Sequence, residues 1–384
     1  MYSFQLEYTL IPHSPLIHFQ YDSVGAALRA TEVKPKLDRY LISHYNGTIP
    51  DQWRNDQSKD ALNYQLRIIS LEHNAAIELG RKTNYEIFYG NMGDGAEKKG
   101  IKNKQKLVVT CFIRELRDYI DRVIGDFFIV TNFGTMQSKG FGSFTVDGKN
   151  KNQEHICDVL KREYTKLNHC YVFDRGAKYN DPLQDETFKR IKTVYSLMKS
   201  GLNYTRDGRY PTRYQRSILF NYVRSMTIHG TPANMGNEKA WMKQNGISPA
   251  LNRSGSYVAT HDHYSRYVRA LLGIGETIKY QDAPSGFVDV TIKEVSGSVE
   301  RLNSPILFKV IDRTVYYVAT EINPEIYGKT FRFSSSMGNG TRPVPTIPEL
   351  PVNFLEEFLH YAYPVINSCS KRFSDISSVI IRVV

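Results

Sequence analysis

The chain has 384 residues, of which 41% are hydrophobic and 12% aromatic, enough for two or three packed domains. It carries no apolar run near the roughly 18 residues that a membrane-spanning helix needs, and its four cysteines are scattered without a CxxC pair, which excludes a zinc ribbon. Fifty basic against 39 acidic residues leave a net charge of +11, which favours a polyanionic partner.

The first residues lack the basic start and small-residue cleavage site of a signal peptide, so a cytoplasmic protein is expected. From Tyr2 the pattern alternates, with Phe4, Leu6, Tyr8 and Leu10 on one face, and predicts a half-buried strand ended by Pro12 and Pro15. Arg29, Lys34, Lys36 and Arg39 then crowd around Pro35 in what reads as a loop followed by a short helix or strand. Residues 51–103 are polar and turn-rich apart from strand-like runs at LRIISL and YEIFYG. KLVVTCFI reads as a buried strand. Leu116, Tyr119, Ile120 and Val123 fall at helical spacing, with Asp126 to Val130 extended after them.

The stretch GTMQSKGFGSF, from Gly134, is the strongest local signal. Gly134, Gly140 and Gly142 permit positive φ and close approach of a ligand, and Ser138 and Lys139 add a hydroxyl and a cation. No GxGxxG opens a helix here, so the composition suits a phosphodiester better than a dinucleotide; a glycine hairpin before a strand accounts for it as well.

In the middle third, Phe188, Ile191, Val194, Tyr195 and Met198 form one helical stripe, and RYQRSILFNYVRSM and HYSRYVRALLGIGE read as helical too. From Gly286 alternation returns, followed by LNSPILFKVI, VYYVATEI, a helix near FLEEFLHYAY and a last strand in SSVIIRVV. HSPLI at His13 recurs as NSPIL at Asn303, a hint of duplication. Basic residues interleaved with tyrosines (Lys98, Lys99, Lys102, Lys104 and Lys106; Arg206, Arg209, Arg213, Arg216 and Arg224) suit single-stranded RNA, or equally a solvated face.

Gly134, Lys139 and Gly140-Phe141-Gly142 together resemble the glycine-rich loop of the RAMP superfamily of CRISPR-associated proteins, with lysine in the place of the usual arginine. SPLIHF with ALRATEVKPKL, RYVRALLGIGE and RLNSPILFKV are similar to stretches of the first-subunit family of Cmr (type III-B) effectors. The resemblance implies an α+β fold of two ferredoxin-like (RNA-recognition-motif-like) domains with a helical central insertion. The expected division is 1–150 with the glycine loop, 151–285 mainly helical, and 286–384.

It also implies a non-catalytic subunit that binds single-stranded guide or target RNA beside other effector subunits, with no membrane and no cofactor. Arg29, Lys34, Lys36, Arg39, Gly134, Ser138, Lys139, Gly140, Phe141 and Gly142 would hold the RNA backbone. Lys139→Glu with Gly140→Asp is then expected to weaken RNA binding without unfolding the protein.

Two alternatives stay open. One is a metal-independent endoribonuclease with His13, His18 or His44 as general base; the mid-chain position of the glycine loop counts against it. The other is a scaffold that meets RNA only through its neighbours. His261 and His263 form a pair able to ligate zinc or manganese, yet no second ligand group falls at usual spacing, and no metal is expected.

Overall fold

The computed structural model describes residues 4–17, 27–55, 60–72, 76–79, 98–149, 152–176, 185–205, 211–228, 231–232, 242, 247, 267–274, 277–282, 286–299, 302–335, 342–345, 350–371 and 379–384. Its architecture is mixed α/β, with six α-helices among the described residues and several antiparallel sheets. The YEIFYG run, His18, Arg206, Arg209, His261 and His263 lie outside the described residues.

The N-terminal part runs β1 (Gln5–Pro12), β2 (Leu16–Ile17), α1 (Ala30–His44), β3 (Gln65–Ser70), β4 (Ile77–Leu79), β5 (Lys98–Ile101), β6 (Gln105–Thr110), α2 (Arg114–Val130) and β7 (Phe144–Val146). Its main sheet has the order β3-β6-β1-β7, with every pair antiparallel. One face, with Tyr8, Leu10, Leu107 and Val109, packs on the apolar stripes of α1 and α2. Both helices are longer than the pattern predicts. Val33, Leu37, Tyr40 and Leu41 of α1 are buried at helical spacing, while Pro35 and Thr31, whose carbonyl loses its partner, face solvent. A proline there is tolerated because water replaces the missing donor. Helix α2 continues through Phe127–Val130, which are buried on all sides and so show no amphipathic period.

The rest runs α3 (Gln153–Tyr164), β8 (Tyr171–Asp174), α4 (Thr187–Lys199), β9 (Gly201–Thr205), β10 (Pro211–Arg216), α5 (Ile218–Ser225), β11 (Thr227–Ile228), β12 (Thr231–Pro232), β13 (Thr277–Asp282), β14 (Gly286–Glu294), β15 (Ile306–Ile311), β16 (Thr314–Ala319), β17 (Thr330–Ser335), β18 (Arg342–Pro345), α6 (Phe354–Ser370) and β19 (Arg382–Val383). The second main sheet has the order β15-β16-β8-β19, again antiparallel throughout. Numbered in chain order, the four strands of each main sheet read 2-3-1-4. Strand β8 therefore belongs with strands more than a hundred residues downstream, and β13, β14, β17 and β18 make a separate sheet.

The described part of the middle third mixes helices with two-stranded pairs, and the RYVRALLGIGE stripe closes as a short 3-10 turn at Val268–Leu272. HSPLI follows the first strand of its sheet, whereas NSPIL leads into β15, the second strand in chain order of its own. The two segments are not equivalent in the fold, although the strand orders match.

The second sheet is covered on both faces. Phe308, Val310, Tyr317 and Phe173 pack with α4 and α6. Val172, Tyr316, Val318 and Ile311 pack with Ile156, Val159 and Leu160 of α3. On this second face Lys309 is fully buried, and its Nζ donates to Phe128 O at 2.7 Å, Thr131 O at 2.8 Å and Phe144 O at 3.3 Å. Two of these carbonyls belong to the C-terminal end of α2, the negative end of its dipole, and α2 supplies no basic residue of its own in that turn. Burial works against the charge and pulls the Lys309 pKa well below that of free lysine, with Lys36 adding repulsion.

Lys309→Met preserves the stem but strands three carbonyls in the core. It is expected to lower unfolding stability by roughly 3 kcal/mol, read as a fall in the urea midpoint with an unchanged m-value.

Candidate nucleic-acid interface

The glycine loop joins α2 to β7, and its three key glycines do have positive φ, at 74° for Gly134, 86° for Gly140 and 65° for Gly142. What approaches them is protein. A Cβ on Gly142 would lie 1.9 Å from Phe133 O, and one on Gly134 2.5 Å from Ile17 O. The loop amides are also taken: Gly134 N donates to Glu32 Oε1 at 2.8 Å, Thr135 N to Ile17 O, Lys139 N to Met136 O, Gly140 N to Gln137 O and Gly142 N to Pro15 O.

The far side of the loop runs parallel to β15, bridging Lys139 to Phe308. Phe308 N donates to Ser138 O at 3.0 Å, Asn132 Nδ2 donates to Phe308 O at 2.9 Å, and Ser143 Oγ donates to Val310 O at 2.5 Å. Because β15 is the edge of its sheet, the loop covers an edge that would otherwise be unpaired. Phe141 is buried and stacks on Phe188 of α4, with ring centroids 3.9 Å apart and planes at 20°. The Lys139 ammonium lies 3.5 Å above the Tyr195 ring. Burial drives its pKa well below the usual value, and Lys199 repels it further.

This corrects two expectations. Lys139, Gly140, Phe141 and Gly142 are inside the protein and do not present a cradle to solvent. The Lys139→Glu, Gly140→Asp pair therefore reads on folding: it places carboxylates against Tyr195 and Val310.

The four cations around Pro35 divide in two. Lys34 Nζ donates to Asp38 Oδ2 at 2.8 Å and Leu62 O at 3.0 Å, and sits over Tyr64. Lys36 Nζ uses three acceptors, Glu32 Oε1 at 3.1 Å, Asn132 O at 3.0 Å and Gln137 Oε1 at 2.9 Å. Burial lowers the Lys36 pKa, Glu32 opposes that and Arg39 adds to it. These two lysines fix α1 to its surroundings, and Lys36 with Glu32 ties α1 to the loop. Arg29 at the helix N-cap and Arg39 are exposed, and the half-exposed span Gly134–Ser138 lies alongside. The resulting ridge of Arg29, Arg39 and the outer loop is the part of the expected set that faces water. Lys104 is also exposed, whereas Lys106 pairs with Glu7 at 2.6 Å.

His13 is no general base here. It is buried, its Nδ1 accepts from Asp312 N at 3.1 Å, and its Nε2 carries the proton to Thr145 Oγ1 at 2.7 Å. Burial, then Lys309, Arg175 and Lys102, push its pKa down to about 3. His44 is engaged by Tyr40 O and by Glu163 at 2.7 Å. Among the described residues no cluster of His, Cys, Asp and Glu is arranged to hold a metal, and no helix is long and apolar enough to cross a membrane.

Two outcomes follow. Gly142→Ala is expected to unfold the protein or to shift its melting point sharply downward by calorimetry, since a Cβ at that φ meets a backbone oxygen. His13 stays neutral in the fold but titrates near 6.5 when unfolded, so the unfolded chain binds more protons between the two values. Its contribution is whole above about pH 6.5 and declines as pH falls towards 3. Between pH 6.5 and 5 the wild type should lose up to ~1.4 kcal/mol per pH unit from this group, a slope that His13→Gln removes in denaturation measured across that window.

The family model of the Cmr1 N-terminal domain matches residues 3–202, and that of the Cmr1 C-terminal domain matches residues 214–380. Among solved structures, apo Cmr1 from Pyrococcus furiosus is similar at 10% identity and a TM-score of 0.40, covering 99% of this chain and 98% of that one. No curated protein matches.

Proposed function

The chain belongs to the Cmr1 family, whose two domain models cover most of it, and is thereby a CRISPR type III-B effector subunit; we propose that it binds single-stranded guide or target RNA there, without catalysis, as part of cytoplasmic antiviral defence. The family match carries the reading, and the ridge formed by Arg29, Arg39 and the outer glycine loop supports it. Exposed guanidiniums beside a rigid loop suit phosphates, which positions RNA without selecting its sequence.

We read both main sheets as ferredoxin-like, because each follows strand-helix-strand-strand-helix-strand with the same 2-3-1-4 order. On that reading the second unit consists of β8, α4, β15, β16, α6 and β19, and the segment between α4 and β15 is its insertion, instead of a division at residues 150 and 285.

The buried loop favours one rival, a scaffold that meets RNA only through neighbouring subunits. Anisotropy of labelled single-stranded RNA, with and without EDTA, separates the two. Wild-type binding without cleavage is expected. Arg29→Glu with Arg39→Glu should lower affinity about tenfold and flatten the salt dependence by about 0.7 log units per lost contact. Assembly with partner subunits but no affinity for RNA alone would establish the scaffold instead.

A further inference from the structure

Two phenylalanines stand out of the fold together. Phe4 is 52% and Phe112 73% exposed, yet their ring centroids are 5.2 Å apart with planes at 48°. They are held at the ends of β1 and β6, the two central strands of the first sheet, where Cys111 N donates to Phe4 O at 2.9 Å. Water strips no benefit from such a pair, so the surface is suited to a flat apolar face from outside.

The neighbouring residues narrow what that face is. In the next register Gln5 and Gln65 both lie opposite Thr110, and Gln5 Nε2 donates to Thr110 Oγ1 at 3.3 Å. This row of amides and a hydroxyl offers donors and acceptors side by side, as a base edge does. One register further, about 7 Å along the strands, Arg67 of β3 is exposed opposite Val108. A protein-docking site would need an apolar surround; the exposed aliphatics of β3 and its end, Ile69 and Leu71, stand at the opposite end of the strand.

We propose that Phe4 and Phe112 form a sequence-tolerant stacking platform for bases of single-stranded RNA, with Gln5, Thr110 and Gln65 facing base edges and Arg67 facing a phosphate. This rests on the RNA-binding reading and adds to it a second contact, through bases, at a different face from the α1 ridge. Stacking tolerates any base because each has a π-face, which is what an RNA of arbitrary sequence requires.

The full chain is titrated with labelled oligouridylate and with an abasic strand of equal length and charge. Wild type should prefer the base-bearing strand by about tenfold. Phe112→Ala and Phe4→Ala should abolish the preference, leaving affinity for the abasic strand, its salt slope and the melting point as in wild type; Phe112→Trp should keep it. Cross-linking with 4-thiouridine RNA should label the peptide carrying Phe112.

No preference in wild type, or an unchanged one in the double alanine variant, overturns the platform. So does loss of subunit assembly with the preference intact, which assigns the rings to a protein contact. Arg29→Glu with Arg39→Glu, in contrast, should weaken both strands equally. A chain that binds neither strand fails the RNA reading itself, and the platform falls with it.

Discussion

A single buried ammonium sets how the two halves of the molecule meet. Lys309 has no carboxylate beside it; three backbone carbonyls match the three N–H donors of its ammonium group, two of them at the end of a helix dipole. Strand alternation places its side chain opposite Phe308, so the face of β15 that carries it turns towards α2 and α3 while the other face turns to α4 and α6. The backbone of Phe308 meanwhile accepts the glycine loop as an added strand. Adjacent residues thus clamp one helix end and one loop. A shift of one residue in β15 would move a cation into the core of α4 and α6, and a phenylalanine onto the carbonyls.

That clamp explains why the glycines are where they are. Gly142 and Gly134 allow the chain to pass within contact distance of Phe133 and Ile17, and Ser14 fastens the crossing by donating to Gly140 O at 2.6 Å and accepting from Ser143 N at 2.9 Å. A loop of this composition reads as a phosphate cradle when its surroundings are unknown, because close backbone approach serves a ligand and a packed chain equally. The partners that decide the matter, Phe188 and Tyr195 of α4 and Phe308 of β15, lie far along the sequence.

The same distinction governs what was legible beforehand. The stripe Phe188, Ile191, Val194, Tyr195 and Met198 is buried as its spacing demands, and β1, β3, β14 and β16 follow local alternation. Local pattern could not show that Tyr171–Asp174 pairs with Thr314–Tyr317, since a strand covered on both faces has no alternation to display. Helix α1 was obscured by Pro35, and the last turn of α2 by burial all round. The basic cluster was visible as a cluster, but which lysines spend their charge inside depends on Glu32, Asp38 and Asn132, whose placement only the fold supplies. Phe4 errs the other way: its alternation with Leu6 and Tyr8 predicts burial, and the sheet ends before anything covers it.

These constraints also distribute the remaining surface. The second sheet has both faces in cores and its β15 edge closed by the loop, so it has no sheet surface to offer a ligand. The first sheet is closed at one end, where Thr145 meets His13 and His13 meets the Asp312 turn between β15 and β16. Its opposite end, with Gln5, Gln65 and Arg67, faces solvent. The contacts that unite the two halves therefore exhaust the glycine loop as a binding element and leave α1 and the open end of the first sheet as the surfaces on which polar recognition is sterically available. A long, charge-bearing strand can engage surfaces so separated where a compact ligand cannot, and that asymmetry is the strongest structural argument for a polymer as the partner.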